Sequence, residues 1–101
     1  MPTIRQTRTY SDWFDGLTDR QARARIDVRV RRLSLGNPGD VRHLTGGVSE
    51  LRIDPGPGYR VYDTQRGQEI VILLCGGDKR RQARDIALAL EMVKEVWSDG
   101  S

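Results

Sequence analysis

A chain of 101 residues with 37% hydrophobic content can bury one modest core and not two, so a single domain over residues 1–101 is expected, with 98–101 as a loose tail. The 17 basic residues exceed the 14 acidic ones by a net +3, too small an excess to define a function by itself. Residues 1–36 carry 8 basic and 4 acidic side chains, leaving 9 and 10 for residues 37–101, so the N-terminal third is the part suited to nucleic acid or an acidic protein.

A lone cysteine excludes an internal disulfide, and Cys75, set in the most apolar run, is expected to be a buried thiol in a reducing compartment. The single histidine, His43, has no companion at metal-ligand spacing, so no metal and no other cofactor is expected. The N-terminal stretch lacks an apolar segment of signal-peptide length, and no run approaches a membrane span. A soluble cytoplasmic protein without a membrane partner is the expectation.

Along the chain, Thr3 to Thr9 has the alternation of a first strand. Ser11 or Asp12 can cap a short turn through Trp13 and Phe14 that ends at Gly16. Thr18 with Gln21 three residues later has the capping-box pattern, and Ala22, Ile26, Val30 and Leu33 recur at helical spacing up to Gly36. The other side of that helix carries Arg23, Arg25, Arg29, Arg31 and Arg32. It is either a solvated basic face or a surface for RNA or an acidic partner, with Arg29 and Arg32 as candidate contacts.

After Val41 to Leu44 and a "TGG" turn comes "ELRIDPGPGYRVY", Glu50 to Tyr62, which predicts a hairpin. Counting outward from the Pro and Gly loop sets Ile53 opposite Tyr59, Leu51 opposite Val61, and Arg52 opposite Arg60. Glu50, Arg52, Arg60 and Tyr62 are then expected on the outward face. "EIVILLC", Glu69 to Cys75, is apolar on both sides and predicts the central strand of the sheet. From Asp78 the period becomes helical: Ala83, Ile86, Leu90, Val93 and Trp97 form one stripe, and Leu88, Met92 and Val96 widen it.

Two local rules are broken in this half. Like charges opposite one another weaken a ladder, and Arg52 faces Arg60. Cations oppose the dipole at a helix start, and Lys79, Arg80 and Arg81 sit there. Both features make sense if an anion comes to the place where the hairpin and the helix start meet. The chemistry favoured is phosphodiester cleavage by the substrate's own 2′-hydroxyl, with cations stabilising the phosphoryl oxygens. Candidate groups are Arg52, Arg60 and Lys79, with Arg80 and Arg81 holding phosphate; Glu50, Tyr62 and His43 are the acid–base candidates, and Glu50 could equally pair with an arginine.

With its "GGVSELRIDPGPGYRVY" and "GGDKRRQARDIALA" segments, the stretch from Asp40 to Glu95 resembles the HigB-like addiction-module killer proteins of the RelE/ParE toxin superfamily. Residues 1–36 follow the same pattern through the preceding strand and helices. The resemblance implies a small bacterial α+β domain, with a curved antiparallel sheet, N-terminal helices and a C-terminal helix. It implies a cognate helix-turn-helix antitoxin in a heteromeric complex, and metal-independent cleavage of mRNA on the ribosome. By position, Arg52 and Arg60 match the family's basic strand residues and Lys79 the lysine of its "GGDK" turn. Asp63 departs from an aromatic common at that place and is expected to add a second carboxylate near the site. ParE-like relatives share the fold and inhibit DNA gyrase, which gives a second reading; a non-catalytic antitoxin-binding partner is a third.

Overall fold

The computed structural model describes residues 2–54 and 56–98. Strand β1 (Thr3–Gln6) ends earlier than the alternation suggests, because Thr7 starts a helix. Its hydroxyl accepts the Tyr10 N–H at 3.1 Å and donates to the Leu74 carbonyl at 2.6 Å, so one side chain caps helix α1 (Arg8–Asp15) and ties it to the sheet. Helix α2 (Arg20–Ser34) is capped one residue later than expected, by Asp19, whose carboxylate accepts from Gln21 and Ala22 at 3.0 and 3.2 Å. A carboxylate satisfies the free N–H groups as a hydroxyl would and adds charge of the right sign for a helix start.

Strands β2 (Val41–His43), β3 (Val48–Ile53), β4 (Tyr59–Arg66) and β5 (Ile70–Gly77) follow. The β3–β4 register is the one counted from the loop, with Ile53 against Tyr59, Leu51 against Val61 and Arg52 against Arg60. The sheet order is β1-β5-β4-β3-β2, so the expected meander is extended at both edges. β4 is therefore the central strand, not the Glu69–Cys75 run. β5 is apolar on both sides because helices cover both faces, which is a statement about layers and not about position in the sheet. β2 to β5 pair antiparallel, whereas β1 joins β5 in parallel, Ile4 beside Val71.

Asp78 caps a 3₁₀ turn at Lys79–Arg81 that runs into helix α3 (Gln82–Ser98). Ser98 belongs to this helix, while the rest of the expected tail, 99–101, lies outside the described residues.

Each face of the sheet has its own core. Tyr10, Ile26, Leu33, Leu51, Ile53, Val61, Val71 and Leu73 pack beneath α1 and α2, and Val48, Tyr62, Leu74, Cys75 and Ala89 pack beneath α3. A register shift between Tyr62 and Asp63 pairs them with Cys75 and Leu73, leaving Leu74 as an extra residue, so Leu74 and Cys75 both join the α3 core. On α3, Ile86, Leu90, Met92, Val93 and Val96 pack half-buried against that core, while Ala83 and Leu88 face solvent. The helix is rotated relative to the expected stripe because Asp85 and Ala89 take the innermost positions.

Candidate phosphate-binding cleft

The loop between β3 and β4 closes onto the start of the last helix. Gly58 holds a φ of +73°, and a Cβ there would come within 3.0 Å of Lys79 Cβ and 3.3 Å of Arg60 Nη1. Only glycine fits both the backbone and the space. The Lys79 N–H donates to the Pro57 carbonyl at 3.3 Å, which fixes the two segments together. Between them lies a cleft of about 530 Å³ lined by Asp54, Gly56, Pro57, Gly58, Arg60, Lys79 and Arg80.

Arg60 is 8% exposed, and its Nη1 donates to the Tyr59 carbonyl at 3.2 Å. Its Nε has no partner, and among the described residues no carboxylate pairs with it. A guanidinium removed from water without a counter-ion is costly. Arg52 differs. Its Nη2 and Nε lie 3.0 and 3.2 Å from Asp40 Oδ1, and its side chain is 43% exposed. The like-charge contact in the ladder is thus neutralised from within on the Arg52 side, and Arg52 does not line the cleft.

The backbone N–H groups at this turn, which could otherwise receive an anion, are already engaged. Asp78 Oδ1 accepts from the Arg80 and Arg81 N–H groups at 2.9 and 3.3 Å, and Lys79 is bonded to Pro57. Recognition in the cleft therefore falls to the side chains of Arg60, Lys79 and Arg80. Arg81 does not line the cleft, and its charge opposes the upward shift of the Asp85 carboxyl.

The acid–base candidates lie outside the cleft. The expected outward face is covered by α3, so Glu50 and Tyr62 are both 0% exposed. Glu50 accepts from Gln82 Nε2 at 2.9 Å and lies 3.5 Å from Arg42 Nη2. The Tyr62 hydroxyl sits beside Glu50 without a hydrogen bond of good geometry, and burial, then the Glu50 and Asp85 charges, push it above its ordinary range. Asp85 is 5% exposed with Oδ2 unpartnered, and burial raises its carboxyl while Arg81 opposes this. Its Oδ2 occupies the space above Gly77, where a Cβ would stand 1.9 Å away. Cys75 is buried, and burial followed by Asp85 pushes its thiol up to about 12, so it holds no thiolate near neutrality.

His43 stands on the other face. Its Nδ1 lies 2.9 Å from Ser49 Oγ, and Ser49 pairs with Asp63 in the next strand. Asp63 belongs to this row and not to the cleft, which corrects the expectation of a second carboxylate near the site: residues 62 and 63 point to opposite faces. It is fully buried, neither oxygen has a partner of standard geometry, and burial pushes it up to about 7 against the opposing Gln65 amide. Arg29 donates to the carbonyls of Arg52, Pro38 and Asp40, stitching α2 to β3 and the loop before β2. Arg32, on α2, lines a groove with Val28 and Ile53 and does not line the cleft.

Sequence reasoning missed Asp54, the one carboxylate among the described residues lining the cleft, and Asp85. The "GPG" loop beside Asp54 and the two glycines before Asp78 were the available signals, since each marks backbone that something approaches closely.

No family model matches the chain. A Haemophilus influenzae protein, described as an uncharacterized protein, is 44% identical over 93 residues, covering 92% of this chain and 94% of that one. The two belong to one family. Among solved structures, a chain of the RelB-RelE antitoxin-toxin complex from Methanococcus jannaschii is similar with a TM-score of 0.60 and 16% identity, over 81% of this chain and 96% of that chain. The fold is that of the RelE-like toxins. At that identity the likeness is one of architecture, and the RelE-like fold here carries its own set of side chains around the cleft.

Proposed function

We propose that the protein is the toxin of a type II toxin–antitoxin pair, HigB-like within the RelE/ParE superfamily, and that it cleaves mRNA on the ribosome without a metal in a bacterial cytoplasm. The observation that carries this reading is Arg60, a buried guanidinium without a counter-ion among the described residues, which lines a cleft with Lys79 and Arg80. An RNA phosphate is the anion it lacks. The RelE-like fold supports the reading, and the solved neighbour, an antitoxin–toxin complex, supports a heteromeric partner, here a helix-turn-helix antitoxin.

In this mechanism Arg60 and Arg80 hold the phosphoryl oxygens as negative charge builds on them. Asp54 takes the proton from the 2′-hydroxyl, whose oxygen attacks phosphorus, and the Lys79 ammonium gives a proton to the departing 5′-oxygen. The products are a 2′,3′-cyclic phosphate and a 5′-hydroxyl. Arg52 holds the hairpin through Asp40, and Glu50 and Tyr62 support the cleft from beneath. Primer-extension mapping of cellular mRNAs after induction tests the assignment, together with cleavage in EDTA on ribosomes stabilised by other means. Cuts within translated frames that leave cyclic or 3′-phosphate ends are expected; a 3′-hydroxyl end with strict metal dependence would overturn it.

One observation favours a second reading, a gyrase-binding inhibitor: His43, Glu50 and Tyr62 all lie outside the cleft. Inhibited supercoiling with intact mRNA would select it.

A further inference from the structure

A second cavity, of about 380 Å³, lies where β1, α1 and α2 meet, and it shares no lining residue with the cleft. Tyr10, Val30 and Leu73 form part of its wall, and Asp15, Asp27 and Arg5 stand at its exposed rim. Three polar groups here go without the partner their positions call for. Asp27 has Arg23 four residues before it and Arg31 four residues after it on α2, the spacing at which helical ion pairs form, yet it pairs with neither. Arg23 lies instead over the Phe14 ring, 5.0 Å from its centroid. Asp15 is the last residue of α1, where a carboxylate opposes the helix dipole, and among the described residues no cation pairs with it. Tyr10 is only 3% exposed, and its hydroxyl has no hydrogen-bond partner among the described residues, although a buried phenol ordinarily finds one. Burial, then the Asp27 charge, push its ionisation above the ordinary range, so the hydroxyl stays neutral and its oxygen is free to accept.

Two carboxylates without counter-ions and a neutral oxygen acceptor select a cation, and the apolar wall selects one with an aliphatic stem. An anion would meet Asp15 and Asp27, and a bare metal ion would leave Val30 and Leu73 without contact. Arg5 is the one cation among the lining residues, which carry a net −1 from one arginine and two aspartates. It stands on the β1 side and turns a positive head toward the helices. We propose that this cavity binds a free aliphatic primary amine, its ammonium between Asp15 and Asp27 with one N–H on the Tyr10 oxygen, and its stem against Val30 and Leu73. The three donors of an ammonium match two carboxylates and one hydroxyl. Its charge sits at the C-terminal end of α1, where the dipole favours a cation. The bound amine fastens α1, α2 and β1 to one another. The proposal goes beyond the phosphate-cleft reading and does not rest on it.

The test is a nuclear magnetic resonance titration of the full, isotope-labelled chain at constant ionic strength. The probe is n-butylammonium, with ammonium, which has the charge and no stem, and n-butanol, which has the stem and no charge, as comparisons. Saturable shifts are expected at the amides of Ile4, Tyr10, Ser11 and Asp27, with butylammonium bound at least about tenfold more tightly than either comparison. Asp27→Asn should weaken it by about the same factor, and Tyr10→Phe, which removes only the hydroxyl, by about fivefold. Asp27 is exposed and unpaired, so its variant judges the proposal even if Tyr10→Phe unfolds the chain. Ammonium bound as tightly as butylammonium would reduce the site to charge alone, and butanol bound as tightly would reduce it to apolar contact; either overturns the proposal. Shifts that do not saturate, or an Asp27→Asn variant that binds unchanged, overturn it too. Arg60→Ala should bind the amine as the parent does, which keeps this result separate from the fate of the cleft.

Discussion

The two faces of the sheet bury different kinds of side chain. Beneath α1 and α2 the core is apolar apart from Asp63, whereas beneath α3 lie Glu50, Arg60, Thr64 and Asp85 together with Tyr62. An apolar layer contributes stability almost regardless of detail; a polar one contributes only where its groups are paired, and several here are not. The α3 side therefore spends stability that the α2 side supplies, and the cleft opens at the edge of the costly side. Where a protein tolerates such groups, function is the usual reason.

The sharpest way to break this contrast is to remove the unpaired guanidinium. Arg60→Ala is expected to lower mRNA cleavage by roughly 10²- to 10³-fold, the cost of losing one preorganised donor to a developing oxyanion, with the fold retained by circular dichroism. Cleavage rates within a few-fold of the parent protein would remove Arg60 from the chemistry.

On the apolar face the single exception, Asp63, makes a pH prediction. Its carboxyl is raised from 3.8 to about 7, so between those values the unfolded chain has released its proton while the folded chain still holds it. The contribution of Asp63 to folding stability is therefore fullest below about pH 4, falls as pH rises toward 7, and levels off above; the sign follows from the folded state binding more protons. Asp63→Asn should flatten that decline and stabilise the protein by roughly 2 to 4 kcal/mol at pH 8. Denaturant titrations at pH 5 and pH 8 measure it, and a parent protein equally stable at both would show that Asp63 stays ionised when folded.

A smaller effect sharpens the polar side. Gln82 donates to the buried Glu50 carboxylate, so Gln82→Ala should cost about 1 to 3 kcal/mol by leaving that oxygen unpaired. A loss below half of that in chemical unfolding would mean that water reaches Glu50. The smallest effect is expected at Arg52→Ala, where a half-exposed pair with Asp40 contributes about 0 to 1 kcal/mol. Cleavage should stay within a few-fold, in contrast to its cross-strand neighbour.

Alternation alone set the hairpin register correctly, and helical spacing found Ala22, Ile26, Val30 and Leu33, because both signals are local and periodic. What alternation cannot say is which of two faces is wet. Glu50, Arg52, Arg60 and Tyr62 fall on one side by parity, and charge suggested solvent; the widened apolar stripe of the last helix was the clue that a third layer covers that side. The pairing of Arg52 with Asp40 escaped notice because the partner comes from outside the hairpin, twelve residues away. Asp54 escaped notice because its value depends on a loop folding back onto Lys79, a contact no periodicity encodes. The caps at Thr7 and Asp19 each shifted a boundary by a residue or more, within the ordinary freedom of helix ends.

The parallel pairing of β1 with β5 has a consequence in time. Thr3 finds its neighbour only at Ile70, after the whole meander has been made, so a strand made early waits for one made much later. Long-range parallel pairing is slow to form compared with a hairpin, whose ends meet at once. The β3–β4 ladder is expected to protect its amides early in refolding, and those of Thr3–Gln6 late, an order that pulsed hydrogen exchange can read; protection of Thr3–Gln6 at the same moment as β3 would refute it. The groups of the cleft come from the loop after β3, from β4 and from the turn before α3, and none of them pairs with β1. A chain missing its first strand can thus assemble the cleft before it has sealed the flank of its own sheet.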